Sequence, residues 1–318
     1  MMARRPLVAT ALAVLLVGAA CSVQASVPSV VVPASRPAPA MVQVENAPGS
    51  RPQRGLQKAD IVFEYLTEGG ISRFTVLYWS PSGGFRIEPV RSARLVTLRL
   101  VQSYSGVLFY SGASNRVQAQ ISSSGVRGFS ESSEGGRCFA RDSTRVAPHN
   151  LYTTGDRVQQ CLSGLQLTVS YPAPATGEPG KTTEPVARFD FSQTVSHRVA
   201  YTYAPASRTY AYTDEQGPLT DADNGSQPVD ITNVVLIRVA HHGLGYAEDV
   251  NGAEGVDYDL MGTGSADVYT RGGHIAARWD LTQGPLRLIG GDGRALSLPA
   301  GLTWMHLVDP DTQVAASA

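Results

Sequence analysis

The chain has 318 residues, of which 42% are hydrophobic and 17% charged, and its formal net charge is −1. This balance is typical of an ordinary globular protein and excludes a disordered chain, and the lack of a basic excess predicts no nucleic-acid partner. The length is sufficient for two domains or one large domain. The 32 glycines and 20 prolines indicate many turns and a substantial β content.

The first 25 residues are predicted to be an export signal. A basic start precedes an apolar run over residues 7–20, which is too short for an ordinary transmembrane helix. The stretch from Gly18 to Cys21 resembles a bacterial lipobox, although Gly18 stands where leucine is usual. We therefore expect lipidation of Cys21. The alternative is cleavage after Ala25, which would discard Cys21 and release a secreted protein.

Residues 26–50 are rich in Pro, Ala, Ser and Val. This composition predicts an extended, poorly ordered tether that holds the folded part away from a membrane surface. No later segment is long and apolar enough to span a bilayer. The predicted location is therefore the outer face of the cytoplasmic membrane, with attachment through the lipid anchor only.

Residues 51–165 are predicted to form an α/β domain. Two β-rich runs, residues 59–66 and 72–80, are joined by a glycine-containing hairpin turn. The pattern then predicts a short strand, a buried helix, a second strand and a helix that Ser114 or Asn115 could cap: residues 85–90, 92–104, 106–112 and 115–125. A strand, a short Gly/Ser loop and a helix form an α/β pattern.

The rest of the chain lacks helical periodicity. Residues 166–190 read as a linker or a long loop, and residues 191–312 as a series of short strands separated by turns. The predicted fold class is therefore α+β, with an N-terminal α/β domain followed by a smaller, mostly antiparallel β domain. Residues 41–165 carry a net charge of +5 and residues 166–318 carry −9. This asymmetry suggests an anionic ligand for the first region; alternatively, the two regions attract each other.

Two cysteines remain after the signal, Cys138 and Cys161. In an exported protein such a pair favours a disulfide, and the alternative is two free buried thiols. The cysteines lack close partners at metal-ligand spacing, so no metal site is predicted, and no cofactor is predicted either.

The segment "PVRSAR" places Arg91 and Arg94 around Ser92 where a helix is predicted to begin. Two cations are disfavoured at the positive end of a helix unless an anion compensates them. A phosphate or carboxylate ligand would be held there by backbone N–H groups and by both guanidinium groups. The alternative is an internal salt bridge to Glu64 or Glu68, with Ser92 as the helix N-cap.

A second polar cluster spans residues 141–152. It contains His149, Asn150 and Tyr152, and the histidine has a pKa suited to a general base. With Ser92 and a carboxylate, His149 would make a set of nucleophile, base and orienting group. The alternative is a hydrogen-bonded structural histidine.

Three stretches, residues 51–74, 89–94 and 147–152, together resemble the YerB-like family of bacterial lipoproteins, which carries a domain of unknown function. Residues 262–280 and 298–308 resemble the smaller C-terminal domain of that family. The resemblance implies an extracytoplasmic, membrane-tethered, two-domain protein of the cell envelope. It maps the family's motif onto these positions: Glu68, Gly69, Gly70, Arg73, Arg91, Ser92, Arg94, His149, Asn150 and Tyr152.

Three functional hypotheses follow. The first is a binding or accessory module that holds an anionic cell-wall glycan or polymer, or a cell-envelope protein, at the arginines. The second is a hydrolase or transferase that acts on a phosphodiester or glycosidic bond of an envelope polymer, with Glu68 or Ser92 completing the site. The third is a purely structural role for the arginines. An open cleft lined by Arg91, Arg94 and His149 would favour the first two hypotheses. Arginine side chains buried against Glu64 and Glu68 would favour the third.

Overall fold

The computed structural model describes residues 35–171, 174–180 and 184–318. The predicted signal, the predicted lipidation site Cys21 and the first part of the predicted tether lie outside the described residues. The described part contains four α-helices: α1 (Leu95–Ser103), α2 (Asn115–Ser123), α3 (Glu131–Cys138) and α4 (Gly155–Ser163). None of these four is both long enough and apolar enough to cross a membrane.

Short strands make up most of the remaining regular structure. The first ten are β1 (Arg36–Pro37), β2 (Ala40–Glu45), β3 (Ile61–Leu66), β4 (Ser72–Tyr78), β5 (Arg86–Ile87), β6 (Val107–Tyr110), β7 (Arg127–Ser130), β8 (Ala140–Arg141), β9 (Leu151–Thr154) and β10 (Thr168–Val169). The others are β11 (Glu184–Pro185), β12 (Arg188–Thr194), β13 (His197–Ala204), β14 (Thr209–Asp214), β15 (Gly217–Pro218), β16 (Thr220–Asp221), β17 (Gln227–Pro228), β18 (Asn233–Arg238), β19 (His241–Ala247), β20 (Glu254–Tyr258), β21 (Thr263–Thr270), β22 (Gly273–Asp280), β23 (Arg287–Ile289), β24 (Thr303–Val308) and β25 (Val314–Ser317).

A mixed sheet of eleven strands organises the fold. Its order is β11-β22-β21-β18-β24-β3-β4-β2-β6-β7, with β23 beside β22. Strand β24, from the end of the chain, lies parallel to both β18 and β3 and joins the two halves of the sheet. The α+β class is confirmed. The predicted separation of an N-terminal α/β domain is not confirmed, because strands from both parts of the chain share this central sheet. Among the sheets of three or more strands in the described residues, only the small sheet β5-β9-β8 lies wholly within residues 51–165.

Each face of the central sheet is covered by a different layer. On one face, the five-stranded sheet β15-β14-β13-β12-β25 packs through aromatic rings, and the Phe189 and Tyr269 centroids are 3.7 Å apart. On the other face, α1 and α2 bury Leu100 and Val117 in a cluster that also contains Phe63. The central strands are covered on both faces, which explains why β3 is a continuous run of buried residues.

The prediction of an extended tether over residues 26–50 is wrong for the part that the structure describes, residues 35–50. All six residues of β2 are buried, and the strand pairs with β4 and β6 inside the central sheet. The proline- and alanine-rich composition of residues 26–50 concealed the short β-forming stretch "AMVQVE". Its polar members have partners, since Gln43 Nε2 donates to Thr75 Oγ1 at 2.7 Å.

The predicted disulfide is confirmed. Cys138 ends α3 and Cys161 lies in α4, and their sulfurs are 2.03 Å apart. Both residues are buried in the core on the side of the five-stranded sheet. The bridge ties together two helices that the sequence reasoning did not predict. Residues 166–190, predicted to be a linker or long loop, include the short strands β10 and β11 and the start of β12.

Candidate functional site

The turn between β3 and β4 positions an acidic residue at the centre of the site. The Thr67 N–H donates to the Ile71 carbonyl at 2.8 Å and closes the turn. Gly69 and Gly70 both have φ of +70°, a conformation that strains residues with a side chain. The two glycines therefore allow a turn tight enough to bury Glu68, which is 7% exposed.

Glu68 and Arg94 form a buried ion pair. Arg94 Nε donates to Glu68 Oε2 at 2.6 Å, its Nη2 donates to Oε1, and its Nη1 donates to the Ala93 carbonyl at 2.8 Å. Both side chains of the pair are 7% exposed. Burial alone would raise the pKa of Glu68, yet hydrogen bonds from Arg94 and the charge of Arg73 hold that pKa below its ordinary value. Glu68 is therefore the carboxylate that compensates the positive charge of Arg94 at the N-terminus of α1.

The start of α1 differs from the prediction. The helix begins at Leu95 with Arg94 in the N-cap position, and the Arg94 N–H donates to Thr97 Oγ1 at 3.0 Å. The prediction that Ser92 is the N-cap is wrong. Ser92 lies in an extended segment before the cap, where its hydroxyl donates to the Ser111 carbonyl at 2.9 Å.

Arg73 is a buried cation with few partners. It lies on β4, and its Nη1 donates to the Ser92 carbonyl at 3.0 Å. Its Nη2 is 3.7 Å from Glu68 Oε1 and makes no hydrogen bond within the described residues. Its Nε is buried and also lacks a hydrogen bond there. Burial, followed by the charge of Arg94, lowers the pKa of Arg73 to about 10.

Arg91 and His149 share a second carboxylate, Glu45. Arg91 Nε lies 3.0 Å from Glu45 Oε1, and His149 Nδ1 lies 2.6 Å from Glu45 Oε2. The Glu45 side chain is 4% exposed, whereas 25% of the Arg91 side chain is exposed. The Arg91 Nε is itself buried and makes no well-aligned hydrogen bond to the described residues, despite its short distance from Glu45. Arg91 thus has one carboxylate partner and a side chain that is partly exposed.

The predicted set of nucleophile, base and orienting group is not assembled. The Ser92 hydroxyl donates to a backbone carbonyl, while His149 is bound to Glu45. No hydrogen bond joins Ser92 and His149 in the described part of the chain. The arrangement therefore activates no serine nucleophile through this histidine.

Most of these groups line an open cleft of about 840 Å³. Five of the predicted residues line it: Glu68, Arg73, Arg91, Ser92 and Arg94. Contrary to the expectation, His149 does not line the cleft, although the preceding residue, Pro148, does. The loop before α2 and the first turn of that helix, residues 112–116, form another wall. The backbone fixes this wall next to the arginines, because the Ala93 N–H donates to the Gly112 carbonyl at 3.0 Å and the Ser111 N–H to the Arg91 carbonyl at 2.9 Å.

The opposite wall comes from the hairpin of β19 and β20. Residues 246–251 line the cleft, and the Arg116 guanidinium lies 4.2 Å from the centroid of the Tyr246 ring. The hairpin is fixed at its base, where the Tyr258 hydroxyl donates to the Leu66 carbonyl and accepts from the Leu66 N–H at 2.8 Å. Arg99 Nε donates to Asp257 at 3.1 Å. A segment distant in sequence therefore completes the cleft.

Glu248 is an acidic residue of this wall that sequence reasoning missed. Its side chain is 1% exposed, and its Oε1 lies 3.9 Å from Arg94 Nε. Neither carboxylate oxygen accepts a well-aligned hydrogen bond from the described residues. Burial raises the pKa of Glu248, and the Ser114 hydroxyl and the charge of Arg94 only partly oppose that rise. Glu45 was also missed, because it lies in the stretch read as a tether.

Asn150 and Tyr152 do not line the cleft. Asn150 Oδ1 accepts from Arg141 Nη1 at 2.6 Å, and its Nδ2 donates to the Asp142 carbonyl at 3.3 Å. The ring of Tyr152 lies 4.2 Å from the Arg86 guanidinium. These contacts hold the segment of residues 140–152 in place, so both residues support the cleft only through the backbone.

Glu64 is not the partner of Arg91 or Arg94. Its carboxylate lies on the other face of β3, is fully buried and accepts from Trp304 Nε1 at 2.8 Å and from the Ser72 hydroxyl at 2.9 Å. Burial opposes ionisation, but neighbouring histidines lower the pKa of Glu64 to about 2. The internal salt bridge predicted for Glu64 is therefore wrong, whereas the one for Glu68 is present.

One histidine and two carboxylates near Glu64 come within reach of a common ion. The candidate ligand atoms of His197, Asp214 and Glu215 lie within 4.8 Å of one another. Asp214 already accepts two hydrogen bonds from Arg51, and the His197 ring nitrogens face Glu64 and Glu215. These donor atoms fit an internal hydrogen-bond network better than a metal site.

The fold and the cleft define a class: a mixed α+β protein in which both parts of the chain contribute strands to one central sheet and residues to one charged cleft. Residues 28–168 match the family described as "Protein of unknown function (DUF3048) N-terminal domain", and residues 187–305 match the corresponding C-terminal domain. The predicted resemblance is confirmed, and the chain belongs to the YerB-like family.

Two comparisons with proteins of Bacillus subtilis support this membership. The chain is 29% identical over 290 residues to "Putative lipoprotein YerB" of strain 168, which covers 87% of this chain and 83% of that protein. The crystal structure of the YerB protein from Bacillus subtilis superimposes with a TM-score of 0.74 at 27% identity. That match covers 88% of this chain and 94% of the other.

Proposed function

We propose that the protein is an exported, lipid-anchored component of the cell envelope that binds an anionic group of a cell-wall glycan or polymer in the cleft. The lipoprotein name of the Bacillus subtilis relative and the predicted signal support the location. The protein acts as a binding or accessory module at the outer face of the cytoplasmic membrane.

The observation that carries the proposal is the environment of Arg91. Arg91 lines the cleft with a partly exposed side chain, and its Nε lies 3.0 Å from the Glu45 carboxylate. A guanidinium group offers bidentate hydrogen bonds to a carboxylate or a phosphate oxygen pair. Arg73, whose Nη2 makes no hydrogen bond to the described residues, lines the same cleft and adds a second cation.

The N-terminus of α2 supports the same conclusion. Its first residues line the cleft, and only one of the early N–H groups, that of Val117, is capped by the Ser114 hydroxyl. Uncapped N–H groups and the helix dipole favour an anion. The supporting helix is therefore α2 rather than α1, whose N-cap position is taken by Arg94.

The geometry favours binding over hydrolysis or transfer. The enzymatic alternative requires an activated nucleophile or base between the arginines and His149, and Ser92 and His149 are each bound elsewhere. Glu68 is held by Arg94 through both of its carboxylate oxygens. A carboxylate so engaged is better suited to orienting an arginine than to attacking a substrate.

Cosedimentation with purified cell walls tests the proposal. The wild-type protein is expected to pellet with the walls, and Arg91→Ala to remain largely in solution. Arg198→Ala is the matched control, because that arginine is exposed and lies outside the cleft lining. Equal pelleting of all three proteins would refute the proposal. Release of soluble wall fragments by the wild type alone would favour the enzymatic alternative.

A further inference from the structure

Glu248 is a buried carboxylate that the fold leaves poorly satisfied. Its two oxygens are shielded from solvent, yet neither accepts a well-aligned hydrogen bond from the described residues. A carboxylate removed from water normally needs several donors to offset the loss of hydration. Its nearest guanidinium, that of Arg94, already donates to Glu68 and Ala93 through all three of its nitrogens. The Glu248 carboxylate is therefore attracted to the cleft by charge and is not fixed there by well-aligned hydrogen bonds, although the Glu248 N–H donates to the Ala253 carbonyl at 2.8 Å within the hairpin turn.

The segment that carries Glu248 is free of core contacts at its tip. Residues 248–253, here called the lid, connect β19 to β20 at the end of the hairpin. Val250 in the lid is fully exposed, and Gly252 has φ of +82°, which suits a tight turn. The anchoring contacts of the hairpin lie at its base, near Tyr258 and Asp257. The lid can consequently move without uncovering the hydrophobic core.

We infer that the lid places the Glu248 carboxylate where a ligand carboxylate binds, and that an anionic ligand binds by displacing it. The charge of Arg94 attracts the ligand there, and the Nη2 of Arg73 in the same cleft, which makes no hydrogen bond to the described residues, is the hydrogen-bond donor. This inference rests on the proposed function and adds its regulation. Glu248 acts as an internal competitor, so the apparent affinity for the ligand is reduced by the fraction of time that the lid occupies the cleft.

The internal competitor also indicates the ligand class. Arg73 and Arg94 share the carboxylate of Glu68, which leaves one uncompensated positive charge in this group. One carboxylate, such as that of Glu248, balances that charge. A glycan that carries carboxylate groups therefore reproduces both the shape and the charge of the competitor, and a polymer of phosphodiesters reproduces only the charge.

Calorimetric titration of the purified protein tests the inference. The probes are soluble cell-wall glycan strands with their carboxylates, the same strands after reduction of the carboxylates to alcohols, and a polyol phosphate polymer. Glu248→Gln keeps the side-chain shape and removes the charge, so it is expected to bind the carboxylated strands about tenfold more tightly than the wild type. Glu254→Gln is the matched control on the same hairpin, and it is expected to bind as the wild type does.

Other results would overturn the inference. Equal or weaker binding by Glu248→Gln would show that Glu248 does not compete with the ligand. Tighter binding of the phosphate polymer than of the carboxylated strands would refute the ligand class. If the wild type binds and Arg91→Ala weakens binding while Glu248→Gln changes nothing, the inference about the lid is refuted and the proposed function stands. If neither the wild type nor Glu248→Gln binds any probe, the proposed function fails with it.

Hydrogen exchange provides a second readout that does not depend on the variant. Carboxylated strands are expected to raise amide exchange in the lid of the wild-type protein, because displacement exposes its backbone. Unchanged or slower exchange there, at a strand concentration that saturates binding, would contradict displacement.

Discussion

Replacing Arg94 by alanine tests whether the buried pair with Glu68 is structural as well as electrostatic. The substitution removes two charge-assisted hydrogen bonds and leaves Glu68 buried. Breaking a buried ion pair in this way costs about 3–5 kcal/mol. Arg73 Nη2 remains 3.7 Å from Glu68 and offsets part of the loss, whereas the buried Glu248 also loses its nearest guanidinium, so we expect a cost of at least about 3 kcal/mol.

The assay is thermal unfolding supported by urea titration. For a chain of this size, about 3 kcal/mol corresponds to a decrease of roughly 6 °C in Tm. Arg91→Ala is the comparison, because Glu45 keeps His149 as a partner and Arg91 is partly exposed, so its cost is about 1 kcal/mol or less. The combination Glu68→Gln with Arg94→Met is expected to recover at least half of the loss. A Tm for Arg94→Ala within 1 °C of the wild type would refute the reasoning.

Three other predictions concern the rest of the chain. Burial alone would lower the pKa of His197, but contacts with Glu64 and the exposed Glu215 raise that pKa to about 9. The protonated histidine therefore stabilises the folded protein by about 3 kcal/mol below pH 6.5, and this stabilisation is lost as the pH rises through 9. Urea titrations of wild type and His197→Gln across that range check this, and equal pH dependence would contradict it. Replacing Cys138 and Cys161 by serine is expected to cost about 3 kcal/mol, measured by the same titration, and an unchanged urea midpoint would disprove it. Radiolabelled palmitate is expected to enter the wild type but not Cys21→Ser, and equal labelling would favour cleavage after Ala25.

Local sequence patterns predicted the elements that depend on local interactions. The hairpin of β3 and β4, both helices over the central sheet and the Ser114 cap of α2 are present. Each rests on a short-range signal, such as a glycine turn or a helical period of apolar residues. The disulfide was predictable from the cysteine count and the export signal.

The shared sheet and half of the cleft could not be predicted in this way. Strand β24 pairs with β3 although more than 200 residues separate them, and no local pattern specifies such a partner. For the same reason Glu248 gave no signal, since only the fold brings it to Arg94. Glu45 was missed because the composition around it outweighed a six-residue strand.

The most direct test of the central claim is calorimetric titration of the purified protein with soluble cell-wall fragments at low and high salt. The account predicts saturable binding that weakens with salt, and a loss of about tenfold or more in affinity for Arg91→Ala but not for Arg198→Ala. Because Arg91→Ala is expected to leave the fold intact, its loss would reflect the cleft itself. Saturable binding of equal affinity by wild type and Arg91→Ala, or no binding at any salt concentration, would contradict an anion-binding cleft.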